Sequence, residues 1–140
     1  MNSEKVGIVG IGTMGSGIAI TALSVGVEAI VVDLDEAVLR NGVSRIDKFF
    51  SKGVEKGKLT EDQRKAHLSR LRTTTRLEDL KECGIIIETV FEDLENKKKV
   101  FAQLNTICPE EALFITNTST LPVTAIASGS GRPDRVIGMH

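Results

Sequence analysis

Val6-Gly7-Ile8-Val9-Gly10-Ile11-Gly12-Thr13-Met14-Gly15 decides how the chain is read. Val6–Val9 is a short apolar run bounded by a glycine cluster, the pattern of a buried strand. Behind the cluster, 14–25 carries Ile18, Ala19, Ala22 and Leu23 at helical spacing, and Gly26 supplies a C-terminal stop. Gly10-Ile11-Gly12-Thr13-Met14-Gly15 therefore places G-x-G-x-x-G between a strand and a helix. Glycine-rich turns are common, and the flanking elements are what give this one meaning. Gly10 lets the chain turn sharply, Gly12 leaves room for close approach to a pyrophosphate, and Gly15 lets helix and strand pack closely. The helix N-terminus then offers unpaired N–H groups and a partial positive charge to phosphates.

A second apolar, β-branched run, 29–32, ends at Asp33. A carboxylate there can accept hydrogen bonds from both ribose hydroxyls and would repel a 2′-phosphate. With no arginine immediately after it, Asp33 favours NAD over NADP. The plainer alternative is a helix cap, a role that Asp35 can also fill.

Farther along, Val38, Leu39, Val43, Ile46, Phe49 and Phe50 line one face of a helix that opens at Asp35 and frays near Gly53 or Gly57. Thr60 with Gln63 has the spacing of a capping box for the next helix, whose apolar face is Leu68 and Leu71. Short strands are expected at 73–75, 84–90, 113–117 and 136–139, and helices at 94–107 and 122–128, the last with Pro122 in its first turn. Alternating helices and near-continuously apolar strands imply a parallel sheet covered on both faces. The expected fold class is α/β: a Rossmann-type doubly wound parallel sheet, with a projecting helix pair after the second strand. The chain is expected to form one domain over 1–140.

Composition excludes several classes. The chain has 140 residues, 41% hydrophobic and 26% charged, ordinary globular values that rule out disorder and fibrous repeats. With 18 Lys+Arg against 19 Asp+Glu, no basic excess points to nucleic acid. Cys83 and Cys108 form no metal-ligand pattern and suit a reducing compartment. No apolar run approaches a membrane span, and Met1-Asn2-Ser3-Glu4-Lys5 has no signal-peptide shape. The expectation is a soluble, cytoplasmic protein with no membrane or nucleic-acid partner.

GIVGIGTMGSGIA, VVDLDE, IIETVFEDLENKKKVF, TNTSTLPVTAIA and PDRVIGMH resemble, in order, the NAD-binding domain of the (S)-3-hydroxyacyl-CoA dehydrogenases, among them the short-chain 3-hydroxybutyryl-CoA enzymes. The resemblance implies an NAD cofactor and an acyl-CoA substrate. It matches Gly10, Ile11, Gly12, Thr13, Met14, Gly15 and Asp33 to the cofactor turn and ribose acid. Glu92 matches the second acid of an E-A-x-x-E motif beside the nicotinamide half of the cofactor. Lys97 matches a lysine near the cofactor and the thioester. Asn117 falls in the cofactor-binding turn, Ser119 matches the serine that hydrogen-bonds the substrate oxygen, and His140 matches the catalytic histidine. Lys56 sits where the family's projecting helices contact coenzyme A.

Each residue also has a plainer reading. Glu92 can be a solvated residue before a helix, Lys97-Lys98-Lys99 a solvated charge run, Ser119 part of the turn before Pro122, and His67 an exposed residue in a polar helix. The family's members continue past the histidine into a helical second domain. That domain supplies the glutamate that orients the histidine, an active-site asparagine, much of the acyl pocket and most of a dimer interface, so a homo-oligomer is expected where it is present.

The implied reaction is hydride transfer between NAD and carbon 3 of a 3-hydroxyacyl-CoA. His140 would act as base and Ser119 would fix the oxygen. Without the orienting glutamate, His140 loses control of tautomer and geometry, so the 140-residue chain is expected to bind NAD(H) and catalyse poorly or not at all. A binding module without chemistry and a dehydrogenase for a 3-hydroxy acid not linked to CoA are the alternatives. The Asn117–Thr120 turn and the long helix pair argue against the second.

Overall fold

The computed structural model describes residues 4–90 and 92–139. Six strands, β1 (Lys5–Val9), β2 (Glu28–Val32), β3 (Leu71–Thr74), β4 (Ile85–Glu88), β5 (Leu113–Thr116) and β6 (Val136–Gly138), form one sheet in the order β3-β2-β1-β4-β5-β6. Every pairing is parallel. The chain starts at β1, runs outward to β3, then returns to β4 on the other side of β1. This reversal creates a crevice at the carboxyl ends of β1 and β4.

Side-chain alternation sorts the strands onto two cores. Val9, Ile30, Val32, Ile86 and Phe114 face one way, into a core with Leu80, Phe101, Leu104 and Ile126. Val6, Ile8, Ala29, Val31 and Ile87 face the other way, into a core with Ala19, Leu23, Leu39, Ile46 and Phe50. The first core is covered by α4 (Leu94–Ile107), α5 (Val123–Ser128) and a short 3-10 turn at Leu77–Leu80. The second is covered by α1 (Thr13–Ser24) and α2 (Glu36–Glu55).

The helix pair after β2 consists of α2 and α3 (Glu61–Ser69). Asp35 caps α2 by accepting from the Ala37 and Val38 amides at 2.7 and 3.4 Å. The Thr60–Gln63 capping box opens α3, with reciprocal bonds of 2.8 and 3.1 Å. Leu39, Ile46 and Phe50 anchor the pair to the body of the domain, whereas Val38 and Phe49 are exposed.

Several expectations are corrected. Leu71 belongs to β3 rather than to the helix before it, because parallel pairing with Ala29 extends that strand back to Leu71. Pro122 caps α5 from outside the helix. Its ψ of 123° is extended, although its carbonyl still accepts from the Ala125 and Ile126 amides. β4 stops at Glu88, where that side chain folds back onto the Val90 amide. His67 is half-buried rather than exposed, with its ring 5.1 Å from that of Phe50 and its Nδ1 buried without a partner among the described residues.

Candidate functional site

The glycine turn lies between β1 and α1, at the crevice. Gly10 has φ +102°, a conformation that disfavours any side chain. Its amide donates to the Val32 carbonyl at 2.8 Å, tying the turn to β2. A methyl group on Gly15 would overlap the Gly10 carbonyl, so Gly15 allows α1 to approach β1. Gly12, the N-cap of α1, is different: a methyl there would meet nothing within 4 Å. Open space in front of a helix N-terminus is what close approach of a phosphate requires. The Ile11 side chain is buried in the core, and Met14 is exposed.

Asp33 follows β2 and faces the same turn, its Oδ2 accepting from the Ile11 amide at 3.2 Å. The helix-cap reading of Asp33 fails because Asp35 holds that position. A cleft of about 490 Å³ opens beside Asp33, bounded by Gly10, Leu34, Arg76, Val90 and Lys99. Its far wall comes from Thr75–Glu78 after β3 and from Asn96, Lys99, Val100 and Gln103 on α4.

Across β1 from Asp33, the ends of β4 and β5 hold a polar cluster. Lys97 is fully buried, not on a solvated helix face, which corrects the charge-run reading. Only Lys98 and Lys99 of that run face outward. Lys97 Nζ forms ion pairs with Glu88 at 2.6 Å and Glu92 at 3.2 Å. It also donates to the Val90 carbonyl at 3.1 Å and to the Asn117 carbonyl at 3.5 Å. Glu88, equally buried, accepts from Thr116 Oγ1 at 2.6 Å and from the Val90 amide at 2.7 Å. Both oxygens of the buried Glu88 carboxylate are thus engaged, as burial of charge demands.

Glu92 is neither simply solvated nor free. Its Oε2 accepts from both Thr118 and Thr120 hydroxyls at 2.7 Å. These two bonds, with the Lys97 ammonium, hold its carboxyl down at about 2. The two threonines flank Ser119, which is exposed and makes no hydrogen bond among the described residues. The turn before Pro122 is built by Thr118, whose Oγ1 accepts from the Leu121 amide at 3.0 Å, and Ser119 is left unused by it. Asn117 leaves β5 with its amide bonded to the Glu88 carbonyl at 2.9 Å. Thr89 bridges the two halves of the site, its hydroxyl donating to the Val9 and Gly10 carbonyls at 3.0 and 3.2 Å.

Lys56 caps the C-terminus of α2 and is exposed, away from this cluster along the chain's helix pair. His140 lies outside the described residues. Sequence reading passed over Glu88, Thr89, Thr118 and Thr120, and also Arg45, which donates to the Ile11 carbonyl at 3.2 Å and to Ser16 Oγ at 2.9 Å. Glu88 was signalled as an acid closing an otherwise apolar strand, Ile85-Ile86-Ile87-Glu88, and as the acid four residues before Glu92. The site as a whole combines an open helix N-terminus, an acid at the end of β2 and a buried charge cluster, an arrangement with room for a dinucleotide across β1.

A family model described as "3-hydroxyacyl-CoA dehydrogenase, NAD binding domain" matches residues 5–140. The chain is 41% identical over 136 residues to a 3-hydroxybutyryl-CoA dehydrogenase of Clostridioides difficile, covering 97% of this chain and 48% of that protein. It is 37% identical over its whole length to a probable 3-hydroxybutyryl-CoA dehydrogenase of Bacillus subtilis, 49% of which is covered. The solved (S)-3-hydroxybutyryl-CoA dehydrogenase of Ralstonia eutropha superimposes with a TM-score of 0.95 at 37% identity, over 99% of this chain and 49% of that one. The chain therefore spans about half the length of these relatives. No helix among the described residues is long and apolar enough to cross a membrane. Matched by that family model over residues 5–140, the chain belongs to the NAD-binding-domain family of the 3-hydroxyacyl-CoA dehydrogenases.

Proposed function

We propose that this chain supplies the cofactor-binding half of an enzyme that oxidises (S)-3-hydroxyacyl-CoA to 3-oxoacyl-CoA with NAD, or runs the reverse reaction. The observation that carries this is the meeting, at one crevice, of the open Gly12 helix end, Asp33, and the Glu92-clamped turn that presents Ser119. The names of the relatives support the acyl-CoA substrate class, and a homo-oligomer for the longer protein rests on the sequence resemblance alone.

In this reading the amides of the Gly10–Gly15 turn hold the pyrophosphate and Asp33 accepts from the adenosine ribose hydroxyls. When bound, NAD supplies the hydride acceptor at its nicotinamide ring. Ser119 donates a hydrogen bond to the C3 oxygen, and an imidazole nitrogen of His140 takes the C3 hydroxyl proton. In the reverse direction the imidazolium returns that proton while Ser119 polarises the ketone. Glu92, Lys97 and Asn117 shape the wall between cofactor and substrate. Lys56, at the C-cap of α2 and with no ammonium partner among the described residues, meets a phosphate of coenzyme A. The unpaired Cys83 and Cys108, their thiols pushed up to about 12 and about 11 by burial, suit a reducing cytoplasm.

NADH fluorescence tests this, because the chain has no Trp or Tyr to interfere. Saturable enhancement on mixing supports the cofactor site, and its absence rejects it. Decay of that signal on adding acetoacetyl-CoA supports catalysis by this chain. A signal that persists supports the second reading, an NAD-binding module without turnover of its own. The half-length match to the relatives favours that reading for the chain taken alone.

A further inference from the structure

The buried pair Glu88–Lys97 is an expensive thing to build. Burying two charges costs several kcal/mol per ion, and well-packed apolar residues usually serve stability as well or better. Its place is also specific. Glu88 ends β4, Lys97 lies in the first turns of α4, and Glu92 joins them to the loop after β5. In a doubly wound sheet one mononucleotide half lies over β2, here over Asp33, and the other over β4 and β5. The cluster therefore borders the half that carries the redox ring.

Its charge does not cancel. Two carboxylates, Glu88 and Glu92, share one ammonium, Lys97. Other charged side chains on α4 point elsewhere. Asp93 caps the helix, Lys98 pairs with Glu95 on the outer face, and Lys99 lines the cleft beside Asp33. Glu92 keeps 36% of its side chain exposed while bonded to the Thr118 and Thr120 hydroxyls, so the surplus charge lies at the surface rather than in the interior.

We propose that Glu88 and Glu92 set the site's preference between oxidised and reduced cofactor. Because Lys97 is their shared counterion, they leave one net negative charge beside the redox ring. That charge favours the cationic oxidised nicotinamide over the neutral reduced one. Glu88 is a positioning residue here: it holds Lys97 and neutralises it, so that the Glu92 charge is not cancelled. The inference rests on the proposed NAD site and deepens it. A unit charge acting over about 8 Å through an effective dielectric of about 40 changes the affinity of a cation relative to a neutral ligand by roughly sixfold.

The test is the ratio of dissociation constants for NAD⁺ and NADH, measured on the full chain by NADH fluorescence and by displacement with NAD⁺. Glu92→Gln is expected to raise Kd(NAD⁺)/Kd(NADH) by about threefold to tenfold. Glu88→Gln should move it the same way, and Glu92→Asp, which retains the charge, should leave it near the original value. A general loss of structure would weaken both ligands and leave the ratio alone. Should Glu88→Gln fail to fold, the half-exposed Glu92 still decides the matter. A ratio unmoved or lowered by Glu92→Gln, with both cofactors bound, overturns this inference alone. No saturable binding of either cofactor to the unsubstituted chain overturns the proposed function and this inference together.

Discussion

Gly12 and Gly15 sit in the same turn and do opposite jobs, which makes them separable by mutation. Gly12→Ala places a methyl in open space at an ordinary φ of −63°, so the melting temperature should hardly change. NADH affinity should fall at least ~10-fold, since the methyl occupies the approach to the helix end. Gly15→Ala drives a methyl into the Gly10 carbonyl and should cost several kcal/mol of stability, roughly 3 or more, before any ligand is considered. Thermal melts and fluorescence titration of the two variants check both statements. Glu92 gives a pH signature. Its carboxyl titrates at about 2 in the folded chain against an ordinary value of 4.5, so its stabilising contribution is complete above pH 4.5 and is lost as the pH falls toward 2. The melting-temperature difference between the unsubstituted chain and Glu92→Gln should therefore shrink across that window and stay constant above it.

Among the helices, α4 is fixed at both ends by polar contacts. Asp93 caps its start, its Oδ1 accepting from the Asn96 amide at 3.1 Å. At its other end Arg132 donates to the carbonyls of Asn105, Cys108 and Pro109 and lies 4.5 Å from the centre of the Phe114 ring. Arg132→Ala would strand several carbonyls and uncover that ring, so it should destabilise by about 2–4 kcal/mol. Thr60→Ala, which breaks only the α3 capping box, should cost about 1 kcal/mol. Urea unfolding of the two variants would rank them, and an equal loss in both would refute the assignment of Arg132 as the larger anchor.

Across the whole molecule, the two halves of the sheet meet at β1 and β4, and Lys97 and Glu88 are both fully buried there. Lys97→Met leaves Glu88 buried with its ammonium gone and should cost about 3–5 kcal/mol, measured as a lower urea midpoint. Bound cofactor should work the other way. At 100 times its dissociation constant, NADH should add about 2.7 kcal/mol to stability, read as a rise in melting temperature, and only about 1.4 kcal/mol to a ~10-fold weaker Gly12→Ala at the same NADH concentration.

Much of this was legible in the residues. The strand-turn-helix at Val6–Leu23, the stop at Gly26, the Thr60–Gln63 box and the acid at Asp33 are local patterns. Their physical causes, side-chain period, capping and backbone freedom at glycine, act over a few positions and so are written in order along the chain. The strand-by-strand alternation was equally local, and it determined a parallel sheet covered on both faces. What only the tertiary structure decided are contacts between distant segments. Lys97 reads as the first of three solvated lysines until β4 and the loop after β5 close over it. Glu92 acquires its low carboxyl pKa from Thr118 and Thr120, and the cleft beside Asp33 acquires its far wall from α4 and the segment after β3. Burial and charge pairing depend on which surfaces meet, and that is set by the order of strands in the sheet, not by spacing along the chain.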